Sequence, residues 1–126
     1  MIYTCYFSGL GSRPEEAVSL CHQQPPGFHL RVVDELAPPV GMLWKFMNGR
    51  MSFRMFKSLY SRRFDVIDPQ QVLEELDGKI LVTWEGYSDK GKTRLKDSHR
   101  HLVADWLRRN GGSVQELPPS PRKTNK

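Results

Sequence analysis

Lys79-Ile80-Leu81-Val82-Thr83-Trp84, followed by Ser98-His99-Arg100-His101-Leu102-Val103-Ala104-Asp105-Trp106-Leu107, is the stretch whose reading decides the fold. The first run is continuously apolar and bounded by turn signals, Asp77-Gly78 before it and Gly86 after it. That pattern is expected of a strand buried on both faces, the kind found in parallel sheets. The second run changes to helical spacing: Leu102, Val103, Trp106 and Leu107 form one apolar stripe. Ser98 stands where an N-cap belongs, and Asn110-Gly111-Gly112 ends the helix with Arg108 and Arg109 in its last turn, favourably placed for the dipole. Ser113 to Leu117 reads as one more strand. Strand, helix and strand in that order predict a right-handed crossover and a parallel pair.

Working outward, Met1 to Phe7 alternates β-branched and aromatic residues and reads as an opening strand. Gly9 and Gly11 break it, and Ser12 with Pro14-Glu15-Glu16 suits a helical turn. Ala17 to Cys21 fits either the end of that turn or a second strand. His29 to Val33 is expected as a short strand closed by Pro38-Pro39. From Val40 the period turns helical: Val40, Leu43, Trp44 and Met47 recur until Asn48-Gly49, and a second helix starts near Ser52 with Phe53, Phe56, Tyr60 and Phe64 on one stripe. Residues 40–64 therefore read as a basic, aromatic-faced helical hairpin. Asp68-Pro69 is an N-cap followed by proline at the first helical position, opening a short helix through Leu76. The expected fold is a small α/β domain over residues 1–117, with a mainly parallel sheet and flanking helices. Residues 118–126, rich in proline and lysine, have nothing to bury and are expected to be disordered.

Composition bounds the rest. The 126 residues suit one domain, and 38% hydrophobic residues suffice for a modest core. No apolar run approaches the roughly 18 residues of a membrane helix. Met1 to Phe7 lacks the basic segment of a secretory signal. Cys5 and Cys21 are too few for a disulfide scaffold and match no zinc spacing, so a reducing cytoplasm is expected. A net charge of +5 leans toward anionic partners.

Two places carry candidate chemistry. In an open parallel sheet, ligands bind beyond the carboxyl ends of the strands. There Trp84-Glu85 ends one strand while Ser98-His99-Arg100 opens the next helix, whose unpaired amides favour an anion. Glu85 is the candidate acceptor or general base. Arg100 and the amides around Ser98 would hold a phosphate. His99 would orient the ligand or act as acid, unless it is a buried helix-start histidine held by a backbone carbonyl. Tyr3, Thr4 and Tyr6, on a strand expected beside Ile80–Trp84, would line the same cleft. On the helical wheel His99 falls within the buried stripe, Arg100 at its border and His101 on the solvent side. Two residues apart on a helix, His99 and His101 diverge, so no metal site is expected. No phosphate loop or dinucleotide fingerprint is present, and no cofactor is implied. The expected ligand is a phosphorylated small molecule or nucleotide.

The second place is electrostatic. Between Leu36 and Phe64 no acidic residue occurs, while Lys45, Arg50, Arg54, Lys57, Arg62 and Arg63 are all cationic. The wheel puts Arg50, Arg54 and Lys57 on one face beside the aromatic stripe. Such a face suits nucleic acid or an acidic protein, although the solvated side of an ordinary amphipathic helix reads the same way.

The segments Leu73–Glu85 and Ser98–Leu107 resemble the family numbered four-eight-eight among domains of unknown function, whose members include small bacterial and phage-encoded proteins. Ile2–Phe7, Leu36–Pro39 and Tyr60–Phe64 are similar to the corresponding parts of that family, so the likeness spans about residues 1–117. The His-Arg-His-Leu-Val-Ala-acidic-Trp-Leu helix is its most specific part. The family pattern has cysteine where Thr83 and Ser98 stand here, which removes any thiol chemistry the relatives have. Glu85, His99 and Arg100 match. The resemblance thus implies the same α/β fold with an anion or nucleotide pocket, or alternatively a non-enzymatic, phage-type accessory protein acting through its basic face.

Overall fold

The computed structural model describes residues 1–11, 16–84 and 98–118. The expected turn around Ser12 to Glu15, Glu85 with the loop after it, and the tail from residue 119 lie outside the described residues. Four strands, β1 (Ile2–Tyr6), β2 (Ala17–Ser19), β3 (Ile80–Thr83) and β4 (Val114–Glu116), form one sheet in the order β2-β3-β1-β4. Every neighbouring pair is parallel. Four α-helices are described: α1 (Val40–Met47), α2 (Phe53–Tyr60), α3 (Pro69–Glu75) and α4 (His99–Arg109). The chain is a small α/β fold, and no described helix is long and apolar enough to cross a membrane.

The local signals act as physical chemistry requires. Ser52, Asp68 and Ser98 cap α2, α3 and α4, each side chain accepting a hydrogen bond from a first-turn amide. Pro69 occupies the first turn of α3, where its missing N–H costs nothing. β3 is buried at all four positions, which is why it reads as an unbroken apolar run. The two edge strands have only three residues each, short enough to offer little unpaired edge.

The period of two along each strand divides the core. Ile2 and Leu81 face the layer built from Val103, Leu107, Phe56, Tyr60, Val72 and Leu43, to which all four helices contribute. Cys5, Phe7, Ile80 and Val82 face the other way, where Tyr3, Phe28, Leu30, Trp84 and Leu117 cover them. The helices therefore lie on one face and loops cover the other. The hairpin of α1 and α2 is held by Phe46, whose ring stacks on Phe56 at 4.9 Å and meets Phe53 at 5.5 Å, while Phe56 stacks in turn on Tyr60 of its own helix at 5.6 Å. Its aromatic stripe continues past α2 into a 3-10 segment, Ser61–Val66, from which Phe64 stacks on Trp106 at 4.6 Å.

Two expectations change. His29 to Val33 is not a strand. Val32 makes one isolated parallel bridge to Ser19, and a 3-10 turn at Asp34–Leu36 then ends the pairing. The strands on either side of α4 are parallel, but they do not pair with each other. β1 lies between them, so the crossover from β3 to β4 spans one strand.

Candidate functional site

The register of the sheet brings the candidate residues to its carboxyl edge. Thr4 is level with Leu81 of β3 and Glu116 of β4, and Tyr6 is level with Thr83. Thr4, Tyr6 and Thr83 point to the face covered by α4, whose first turn presents Ser98 and Arg100 above them. The Arg100 side chain is 0% exposed. Its Nη1 donates to Thr83 Oγ1 and to Ser98 Oγ, both at 2.9 Å. Its Nε lies 3.0 Å from Glu116 Oε1, and its Nη2 lies 2.9 Å from Glu116 Oε2. The Thr4 hydroxyl donates to the same carboxylate at 2.5 Å, and the Tyr6 ring lies beneath the guanidinium, 5.4 Å from centroid to Cζ. Such a fork-to-fork pair is a strong, directional interaction, and water reaches it through Glu116, whose side chain is 31% exposed.

Gly9 belongs to this arrangement. A Cβ there would stand 2.9 Å from the Tyr6 ring, so a larger residue would have to displace the ring that lies beneath the guanidinium.

The structure thus gathers Thr4, Tyr6, Ser98 and Arg100 at one place. Tyr3 is excluded from it. Being one residue off in the strand period, Tyr3 projects to the opposite face, against the cluster of Cys5, Phe7 and Val82. Glu85 lies outside the described residues.

His99 goes elsewhere. One residue earlier on α4, it turns toward β2, where its ring meets Tyr60 edge-on at 5.3 Å and Phe56 at 6.0 Å. Its Nε2 lies 2.9 Å from the Leu20 carbonyl, which can only accept, so that nitrogen carries the proton. The arrangement is the carbonyl-held helix-start histidine, not an acid aimed at the Arg100 cluster. Cys21 Sγ lies 3.9 Å from the same Nε2. A protonated nitrogen cannot take the thiol proton, so this contact is no nucleophile–base pair.

Glu116 is the site residue that sequence reasoning missed. The signal was present in the alternation Val114-Gln115-Glu116, which puts a carboxylate on the same side of the strand as buried Val114. Beyond the ends of β1 and β3 an aromatic row passes from the loop-covered face to the helical one, from Phe28 to Phe7, Trp84 and Trp44 of α1, with consecutive centroids 5.0, 5.8 and 5.7 Å apart.

The basic surface is divided in two. Arg54 and Lys57 are exposed on α2, but Arg50 precedes that helix, so the three do not share one helical face. Asn48-Gly49 ends α1 early enough to leave Arg50 in the bend, beside Trp44, Lys45 and Asn48. Among the described residues, Lys45, Arg50, Arg54, Lys57 and Arg62 enter no ion pair. No cluster of potential metal ligands occurs among the described residues. The chain matches no protein-family model, no curated protein and no solved structure.

Proposed function

We propose that the carboxyl edge of the sheet binds a phosphorylated small molecule or nucleotide, with Arg100 as its anchor and Glu116 as the resident counter-ion that the ligand displaces. The observation that carries this is a wholly buried guanidinium, held by Thr83 and Ser98 where parallel strands end and α4 begins. A domain that needed only stability is served as well by apolar side chains there, since replacing a buried ion pair with packed hydrophobic groups is often neutral or better. The guanidinium suits phosphate because its planar fork makes paired hydrogen bonds. Membership of the family numbered four-eight-eight belongs to the same proposal, supported by the Trp84-Glu85 and Ser98–Leu107 segments. So does a cytoplasmic setting, which suits two buried cysteines that form no disulfide.

The test is thermal stabilisation by nucleotides and sugar phosphates. A ligand that binds only the native state raises the melting temperature with the logarithm of its concentration above its dissociation constant. Arg100→Lys should bind about tenfold more weakly, while Glu116→Gln, which removes the competing carboxylate, should gain more from phosphate than the parent does. Equal response of all three proteins places the ligand elsewhere.

A second reading is favoured by the cations of the α1–α2 hairpin. Exposed, and without ion-pair partners among the described residues, they present charge for an anionic macromolecule, nucleic acid or an acidic protein. Arg54→Glu with Lys57→Glu should abolish retention on an anionic matrix without altering the fold.

A further inference from the structure

The outward face of α2 is not purely polar. Its inner face buries Phe56 and Tyr60, and the opposite face of such a helix is typically polar. Instead Met55 is 56% and Leu59 37% exposed. Four residues apart, these two stand one turn above the other, and both line one open groove with Ser52, Arg54, Ser58 and Arg62. The groove thus has an apolar floor, small hydroxyls along it, and a guanidinium from each of two different turns.

We infer that this groove docks an acidic amphipathic helix of a partner protein. The inference rests on the second reading above and says which anionic partner the surface takes. Charge decides against a second copy of the chain, since pairing this face with itself would oppose Arg54, Lys57 and Arg62 to their own kind. The tail from residue 119 adds Arg122, Lys123 and Lys126 and no acid, so it is no better as an occupant. The floor decides against nucleic acid. A phosphate backbone would satisfy the cations but leave Met55 and Leu59 uncovered, and neither offers a planar face on which a base stacks. A helix with apolar residues one turn apart and carboxylates on either side covers the floor and pairs with the rim together. Methionine suits such a floor because its flexible thioether adapts to the side chains it meets.

The experiment uses a fluorescein-labelled peptide helix with leucines at one-turn spacing and glutamates flanking them, followed by anisotropy at about 100 mM salt. The same peptide with its order scrambled, a single-stranded oligonucleotide and vesicles of anionic lipid serve as the other arms. Two variants are compared with the parent after circular dichroism shows each is folded: Met55→Ser with Leu59→Ser, and Arg54→Glu with Lys57→Glu. The expected result is that each variant, and the scrambling, weakens peptide binding about tenfold or more. If the charge variant weakens binding while the serine variant or the scrambled peptide does not, the docking inference is overturned and the basic-face reading stands. If neither variant matters, both fall. Tighter binding of the oligonucleotide or the vesicles, unaffected by the serine variant, assigns the surface to those partners and overturns the inference.

Discussion

Glu116→Gln isolates what holds the carboxyl edge of the sheet together. The substitution keeps the size of the side chain and removes its charge. Arg100 then faces an amide that can accept through one oxygen only, where the carboxylate now takes Nε at 3.0 Å and Nη2 at 2.9 Å. The amide nitrogen, itself a donor, meets the guanidinium in either orientation, and in one of them it also takes the place of the oxygen that accepts from the Thr4 hydroxyl at 2.5 Å. Removing one partner of a buried ion pair costs roughly 3–5 kcal/mol, because the other charge stays desolvated. The Glu116 side chain is 31% exposed, so water admitted at that end offsets part of the loss. A net destabilisation of about 2–3 kcal/mol follows from that buried-pair range. For a chain of this size about 1 kcal/mol moves the melting temperature by roughly 4 °C, so the midpoint should fall by about 8–12 °C. A thermal melt measures the midpoint, urea unfolding followed by tryptophan fluorescence and by far-ultraviolet circular dichroism measures the free energy, and coincidence of the two probes checks two-state behaviour. Arg100→Met combined with Glu116→Leu should recover most of the loss, since neither charge then remains buried. A Glu116→Gln protein within about 0.5 kcal/mol of the parent, the range of a neutral surface change, would refute the assignment of Glu116 as the balancing charge.

Three further substitutions probe the frame around that pair. His99→Ala removes the hydrogen bond to the Leu20 carbonyl and the ring between Phe56 and Tyr60; a loss of about 2–4 kcal/mol in urea titrations is expected from such a buried truncation. Tyr60→Phe deletes a buried hydroxyl that donates to the Leu36 carbonyl at 2.6 Å, and should cost about 1–2 kcal/mol with no change in secondary structure by circular dichroism. Gly112→Ala would set a Cβ at 2.4 Å from Leu73 Cδ2 and 2.9 Å from the Leu107 carbonyl oxygen. The leucine can move but the backbone cannot, so about 1–3 kcal/mol should be lost in thermal melts.

What was legible in the sequence is what is decided within a few residues. Ser52, Asp68-Pro69 and Ser98 announce helix starts because a cap needs only the amides of its own first turn. Gly78, at φ +82°, and Gly111, at φ +90°, end α3 and α4 because that backbone conformation is open to glycine without strain. β3 is legible from its unbroken apolar run, and its parallel partners follow from the helices between strands. The misreading of His29 to Val33 has the opposite cause. The stretch has the composition of a strand, but one bridge to Ser19 is all that its neighbours admit before the chain turns at Asp34.

The candidate site was half legible, and the missing half is non-local. Placing Thr4, Tyr6, Ser98 and Arg100 together needed only the inference that β1 lies beside β3. Assigning Tyr3 to the same cleft ignored the strand period, which sends neighbours to opposite faces. Read from the sequence, Arg100 has a phosphate to hold but no partner within the chain, because its position on α4 indicates where it starts, not where its long side chain ends. That depends on which strand follows α4 and where it enters the sheet. β4 comes to rest on the far side of β1, and this single topological fact carries Glu116 under the guanidinium, 16 residues away in the chain. A pattern search confined to one element sees a charged residue on a short edge strand. The sheet order turns that residue into the counter-ion of a buried arginine, and any ligand for Arg100 must compete with it.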